Sequence, residues 1–142
     1  DYKYASNEIA EKYSAARDYV PFAQQAILEM ARQTGPAVYT QDGLMKKGTI
    51  VRHLILPGNT RNSIAVLHWL KENLPKGVLV SLMAQYLPCG KASEFPEINR
   101  KITRREYEKV QNYLFDLDLD GFVQELSSAK KDFIPSFRLQ GL

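Results

Sequence analysis

The 142-residue sequence is poor in the side chains that build metal and covalent centres, with one cysteine, Cys89, and two histidines, His53 and His68. A single thiol excludes an internal disulfide and any all-thiolate cluster made by this chain alone. Neither histidine has a partner at metal-ligand spacing, such as a second His four residues away. No apolar run approaches the roughly 18 to 20 residues that span a bilayer, and no signal-peptide pattern opens the chain. A cytoplasmic location without membrane partners is the expectation. A G-x-S-x-G elbow, a Walker loop and a G-x-G-x-x-G turn are all absent. The charge excess is small, 19 Lys and Arg against 16 Asp and Glu. It permits an anionic ligand without demanding nucleic acid, which is not among the expected partners.

What is present is ordinary globular material, 44% hydrophobic and 25% charged, in a length suited to one domain over residues 1–142. Ile50–Gly58 reads as an apolar strand ending in Pro-Gly, and a helix follows from Asn59 or Thr60. That helix carries Ile64, Leu67 and Leu74 on one face, widened by Val66 and Leu70, until Pro75 and Gly77 end it. Val78–Tyr86 is nearly continuous apolar sequence, as in a strand covered on both sides. Strand, helix, strand at this spacing predicts a parallel βαβ unit, whose carboxyl-end loops are where such folds bind ligands.

Other elements are legible from caps and breakers. Ser6–Tyr13 suits a short helix anchored by Ile9. Asp18 is a candidate N-cap for a helix whose apolar face is Phe22, Ala26 and Met30 with Ile27, ended by Gly35-Pro36. Gln41-Asp42-Gly43 suits a hairpin turn. Leu87–Asn99 reads as a loop, and Thr103–Glu106 is a capping box heading a stripe of Tyr107, Val110 and Leu114. Phe122-Val123 suits a last short strand, and the tail marked by Pro135 reads as extended.

Arg52 is the leading candidate for function. A cation inside an apolar strand is predicted to be buried and to face an anion, either a carboxylate of the chain or a ligand. Period-two alternation puts Arg52 and Leu54 on one surface with Ser81, Met83 and Gln85, and His53 on the helix side. Tyr86 is placed at the rim of that surface. Lys3 sits at what resembles the end of a strand, Asp1-Tyr-Lys-Tyr4, whose beginning is missing. Other motifs read as structural. The run Asp116-x-Asp118-x-Asp120-Gly121 lacks the twelfth-position acid of an EF-hand, Ser127 standing there, and is expected to be a turn. Cys89 has no identifiable base beside it. Arg100, Lys101, Arg104 and Arg105 are expected to form a solvated basic face.

Taken in order, Asp1–Tyr4, Ile50–Gly58, Val80–Tyr86, Phe95–Arg100, Thr103–Tyr107 and Gly121–Gln124 resemble the carboxyl-terminal part of radical S-adenosylmethionine proteins related to pyruvate formate-lyase activating enzyme. The resemblance implies an α/β fold, the later strands and helices of a partial (β/α)6 TIM-like barrel. It implies an oxidoreductase or activase that binds S-adenosylmethionine against a 4Fe-4S cluster and acts on a glycyl-radical enzyme or another protein substrate. The matching positions imply cofactor contacts at Lys3, Arg52, Leu54 and Met83. They imply a changed contact at Tyr86, where the activating enzyme has a histidine. The family's C-x-x-x-C-x-x-C loop is missing, so the expectation is an inactive fragment with neither cofactor bound. Its open sheet edge is expected to self-associate. The competing readings are a small α/β module binding nucleotide or nucleic acid, and an interaction domain in which Arg52 serves a structural ion pair.

Overall fold

The structure is a computed structural model that describes residues 1–124. The extended tail expected around Pro135 lies outside the described residues. The chain runs α1 (Asn7–Ser14), α2 (Tyr19–Thr34), β1 (Val38–Tyr39), β2 (Met45–Lys47), β3 (Ile50–Leu54), α3 (Thr60–Asn73), β4 (Leu79–Met83), a 3-10 turn (Gly90–Glu94), α4 (Arg104–Asp116) and β5 (Gly121–Val123). It is an α/β fold. β1 and β2 form the hairpin expected around Gly43, and β3, β4 and β5 form a parallel sheet in that order.

Two successive crossovers explain the architecture. β3 leads through α3 to β4, and β4 leads through α4 to β5, each strand adding to the same side of the last. Crossovers between parallel strands are right-handed, so repeated steps in one direction put both helices on one face. The core matches that geometry. Val66, Leu67 and Leu70 of α3 and Val110 and Leu114 of α4 form one buried cluster with Val51, Val80 and Leu82 of the sheet. The register pairs Arg52 with Ser81 and Leu54 with Met83, so these four share the other face, as alternation predicts. Two apolar side chains stand exposed there, Ile50 at 43% and Phe122 at 53%.

Two helix-face expectations are corrected. In α2 the buried residues are Ile27 and Ala31, with Tyr19 and Ala23 packed beside them, while Phe22 and Met30 are exposed. Adjacent i, i+4 stripes lie only one residue apart around a helix, and the narrower Ala23-Ile27-Ala31 stripe joins the core cluster that holds Tyr2. In α1 the anchor is Ala10, fully buried, with Ile9 only partly covered. Asp18 stands at the N-cap of α2 without a side-chain capping bond. Thr103 and Glu106 form the full capping box, and Asp116–Asp120 is the expected turn between α4 and β5, with Asp118 at φ +50°.

β5 is short and depends on a bare backbone. A Cβ at Gly121 would sit 1.8 Å from the Val80 carbonyl oxygen. Gly121→Ala is therefore expected to force β5 from β4, costing about 1–3 kcal/mol as overpacking does. Urea unfolding measures the loss, and faster exchange at the Gln124 amide, which donates to the Leu82 carbonyl, locates it.

Candidate functional site

The open face of the parallel sheet carries most of the candidate residues. Its second strand-like neighbour is the segment 1–4, which lies along the free edge of β3 with the Tyr2 N–H donating to the Arg52 carbonyl at 2.9 Å. Tyr2 is buried in the helix-side core, so alternation turns Lys3 to the open side. That parallel bond sets Asp1 beside Arg52 and Lys3 beside Leu54. Across the sheet the face then reads Asp1, Arg52, Ser81, Phe122 in one row and Lys3, Leu54, Met83 in the next.

Arg52 is not buried, which corrects the expectation drawn from its apolar neighbours. Its side chain is 57% exposed, and its Nε donates to Asp1 Oδ1 at 2.7 Å. The physical reason is the one-sided helix layer. Ile50, Arg52 and Leu54 alternate onto a face that no described helix covers, so the guanidinium keeps its water. An exposed pair of this kind contributes at most about 1 kcal/mol. Among the described residues the terminal nitrogens of Arg52 and the ammonium of Lys3 have no hydrogen-bond partner. These are two cations on one face with donors to spare. Met83 is buried and Leu54 half-buried, which gives the face apolar ground beside the charges.

Tyr86 is separated from this group. Its hydroxyl donates to the Ile98 carbonyl at 2.9 Å, pinning the loop after β4. Its ring lines a small cavity of about 160 Å³ with Tyr4, Tyr13, Leu56 and Phe95. The structure thus brings together Lys3, Arg52, Leu54 and Met83 and places Tyr86 in an adjoining aromatic cluster. Larger open depressions of about 520 and 400 Å³ lie at the opposite end of the sheet, along Lys71–Val78 and around Gly121. They hold no constellation of reactive side chains.

At the carboxyl ends of the strands, Glu106 is the organising charge. Its carboxylate accepts from Arg100 Nη1 at 2.9 Å and Nη2 at 2.8 Å, from the Thr103 N–H at 2.8 Å, and from the Gly58 N–H at 2.7 Å. The two-pronged bond from Arg100 and these amides hold it well below the usual carboxylate range. Gly58, at φ +71°, gives the turn that aims its N–H at Glu106. The β3–α3 loop is thereby tied to the start of α4. The sequence marks Glu106 only as a capping residue, because the contact with Gly58 spans 48 residues. Of the expected basic face, Arg100 and Arg104 are committed to Glu106 and Glu108. Beside it, Lys12 and Tyr13 hold Glu97 at 2.6 and 2.8 Å, and the Lys12 hydrogen bond leads in lowering its pKa to about 2.

His53 is fully buried on the helix side, as alternation placed it, and its Nδ1 lies 2.8 Å from the Tyr2 carbonyl. A carbonyl only accepts, so Nδ1 carries the proton and donates. Burial pushes its pKa down to about 4. Cys89 is exposed, in the turn before Gly90.

No family model matches the chain, and no solved structure does. Over 125 residues it is 29% identical to an uncharacterized protein of Methanocaldococcus jannaschii, a match covering 84% of this chain and 32% of that protein. The chain spans about a third of the length of the curated relative it matches. No described helix is long and apolar enough to cross a membrane.

Two expectations follow. Arg52→Ala should change folding stability by less than about 1 kcal/mol, whereas Glu106→Ala, which strands several donors, should cost about 2 kcal/mol or more; denaturant titration compares them. His53 binds its proton in the unfolded chain near pH 6.5 but in the fold only near pH 4. Its contribution is therefore complete above pH 6.5 and is lost as the pH falls toward 4, about 3 kcal/mol in all. The stability difference between the native chain and His53→Asn, followed from pH 7 to pH 4, should show that slope.

Proposed function

We propose that this chain is the later part of a radical S-adenosylmethionine barrel of the glycyl-radical-enzyme activating type, with the open sheet face as its cofactor side. One observation carries the reading: Arg52, Leu54 and Met83 share the open face, and residues 1–4 lie along the free edge of β3, where alternation sets Lys3 beside them. Two cations with uncommitted donors suit the carboxylate and ribose oxygens of S-adenosylmethionine. Leu54 and Met83 offer apolar contact to its adenine. The parallel sheet with helices on one side supports a barrel segment in which this face looks inward.

The residues fit S-adenosylmethionine and do not fit the iron-sulfur cluster, because one cysteine cannot supply three thiolates. In a complete enzyme S-adenosylmethionine would supply the hydrogen-abstracting chemistry, with none of the cluster held by the residues described here. The part of this chain is to bind and orient. Arg52 and Lys3 neutralise and fix the carboxylate, and the row of aliphatic side chains keeps water from the adenosyl group. Asp1 competes for the Arg52 Nε, so the guanidinium meets the ligand through its terminal nitrogens. Tyr86 takes no part on this face. Without the remaining strands, the exposed Ile50 and Phe122 favour self-association.

This half-site is expected to hold no cofactor as isolated, so equilibrium dialysis with labelled S-adenosylmethionine in large excess tests the reading through weak residual binding. Binding should fall about tenfold, or 1.4 kcal/mol, in Arg52→Ala and in Lys3→Ala. Binding indifferent to both substitutions, or a stable 4Fe-4S absorption after iron and sulfide are added to this chain, would overturn it. The alternative is a nucleotide or nucleic-acid module using a notch of about 310 Å³ between Thr60, Thr103, Arg105 and Lys109. Salt-dependent oligonucleotide binding without response to S-adenosylmethionine would favour that alternative.

A further inference from the structure

The segment that carries Lys3 is attached to the domain in an unusual way. Its ladder to β3 consists of one bond between backbones, from the Tyr2 N–H to the Arg52 carbonyl. The other backbone groups of residues 1–5 that are paired meet side chains. The Tyr19 hydroxyl accepts from the Lys3 N–H at 2.8 Å and donates to the Asp1 carbonyl at 3.1 Å. His53 Nδ1 donates to the Tyr2 carbonyl at 2.8 Å. The Asn62 amide donates through Nδ2 to the Lys3 carbonyl and accepts through Oδ1 from the Ala5 N–H, both at 2.8 Å. Asn62 thus imitates a strand neighbour, offering one donor and one acceptor to residues on either side of Tyr4.

These three side chains come from three elements, α2, β3 and the first turn of α3, and they converge on one five-residue stretch. Asn62 is 5% exposed and His53 fully buried. Polar groups so buried are costly without partners, and a hydrophobic side chain at either place would serve the core as well. We infer that Tyr19, His53 and Asn62 form a positioning clasp that sets the register of residues 1–5 and so holds Lys3 in line with Leu54 and Met83. The clasp itself stands on the observed bonds; its consequence for S-adenosylmethionine rests on the functional reading above. The competing account is that aromatic packing alone holds the segment, since the Tyr2 ring meets Tyr19 and Trp69 at 6.4 and 5.3 Å between centroids.

The two accounts separate by amide hydrogen exchange on the 142-residue chain. Asn62→Leu keeps side-chain volume and removes both amide contacts. The clasp requires exchange at Ala5 to rise about tenfold or more while β4 amides such as Val80 stay protected, a local opening. Tyr19→Phe, a change too small to unfold the domain, should do the same at Lys3 and decides the matter if Asn62→Leu unfolds globally. His53→Leu should loosen the segment, and His53→Asn, whose amide reaches the Nδ1 position, should restore it. Unchanged exchange at Ala5 and Lys3 would assign the segment to aromatic packing and overturn the clasp. In parallel, S-adenosylmethionine affinity in Tyr19→Phe should fall about tenfold. Looser exchange with unaltered affinity would refute the positioning role. If the native chain binds no S-adenosylmethionine, the functional reading fails, and the exchange data alone judge the clasp.

Discussion

Parallel strands cannot be joined by a tight turn, and the crossover each one needs has a fixed hand. In this chain the crossovers through α3 and α4 step the same way across the sheet, so the helices collect on one side. Everything distinctive about the molecule follows from that asymmetry. Val51, Val80 and Leu82 are sealed beneath helices, while Arg52, Ser81 and Phe122 are turned to a face that no described helix reaches. A guanidinium that would be prohibitively expensive in a two-sided sheet is hydrated here and paired only through Nε. The same asymmetry leaves its outer nitrogens and the ammonium of Lys3 available to a ligand.

The carboxyl edge of the sheet is stiffened by charge and the free edge of β3 by buried polar side chains. Glu106 gathers Arg100 and two backbone amides at the junction of the β3–α3 loop and α4, and a half-buried carboxylate so surrounded is held in one place. At the other side, Tyr19, His53 and Asn62 substitute for a ladder along residues 1–5. Side-chain bonds of this kind demand particular residues where a backbone ladder demands none, and they tie the position of Lys3 to α2, β3 and α3 at once.

Local signals were legible where a single element decides them. The capping box at Thr103, the Gly35 stop, the hairpin at Gly43 and the order of parallel strands around α3 all appear as the pattern foretells. Alternation also placed His53 on the helix side and grouped Arg52 with Leu54, Ser81 and Met83. The failures share one cause. Whether Arg52 is buried, whether Phe22 or Ala23 faces inward on α2, and whether Tyr86 joins the Arg52 face each depend on what lies opposite. Periodicity along one element carries no record of its neighbour.

By itself, then, the sequence determined the elements, their parallel order and which side chains share each face, because caps, breakers and period-two alternation are enforced by the local backbone. It also determined that one thiol cannot hold a cluster. Only the tertiary structure decided which face lies under helices, that Arg52 meets Asp1 in the open, that Glu106 reaches Gly58, and that Asn62 reads the backbone around Tyr4. Those contacts join residues some 50 positions apart, and the chain acquires them only when the crossovers through α3 and α4 assemble the sheet.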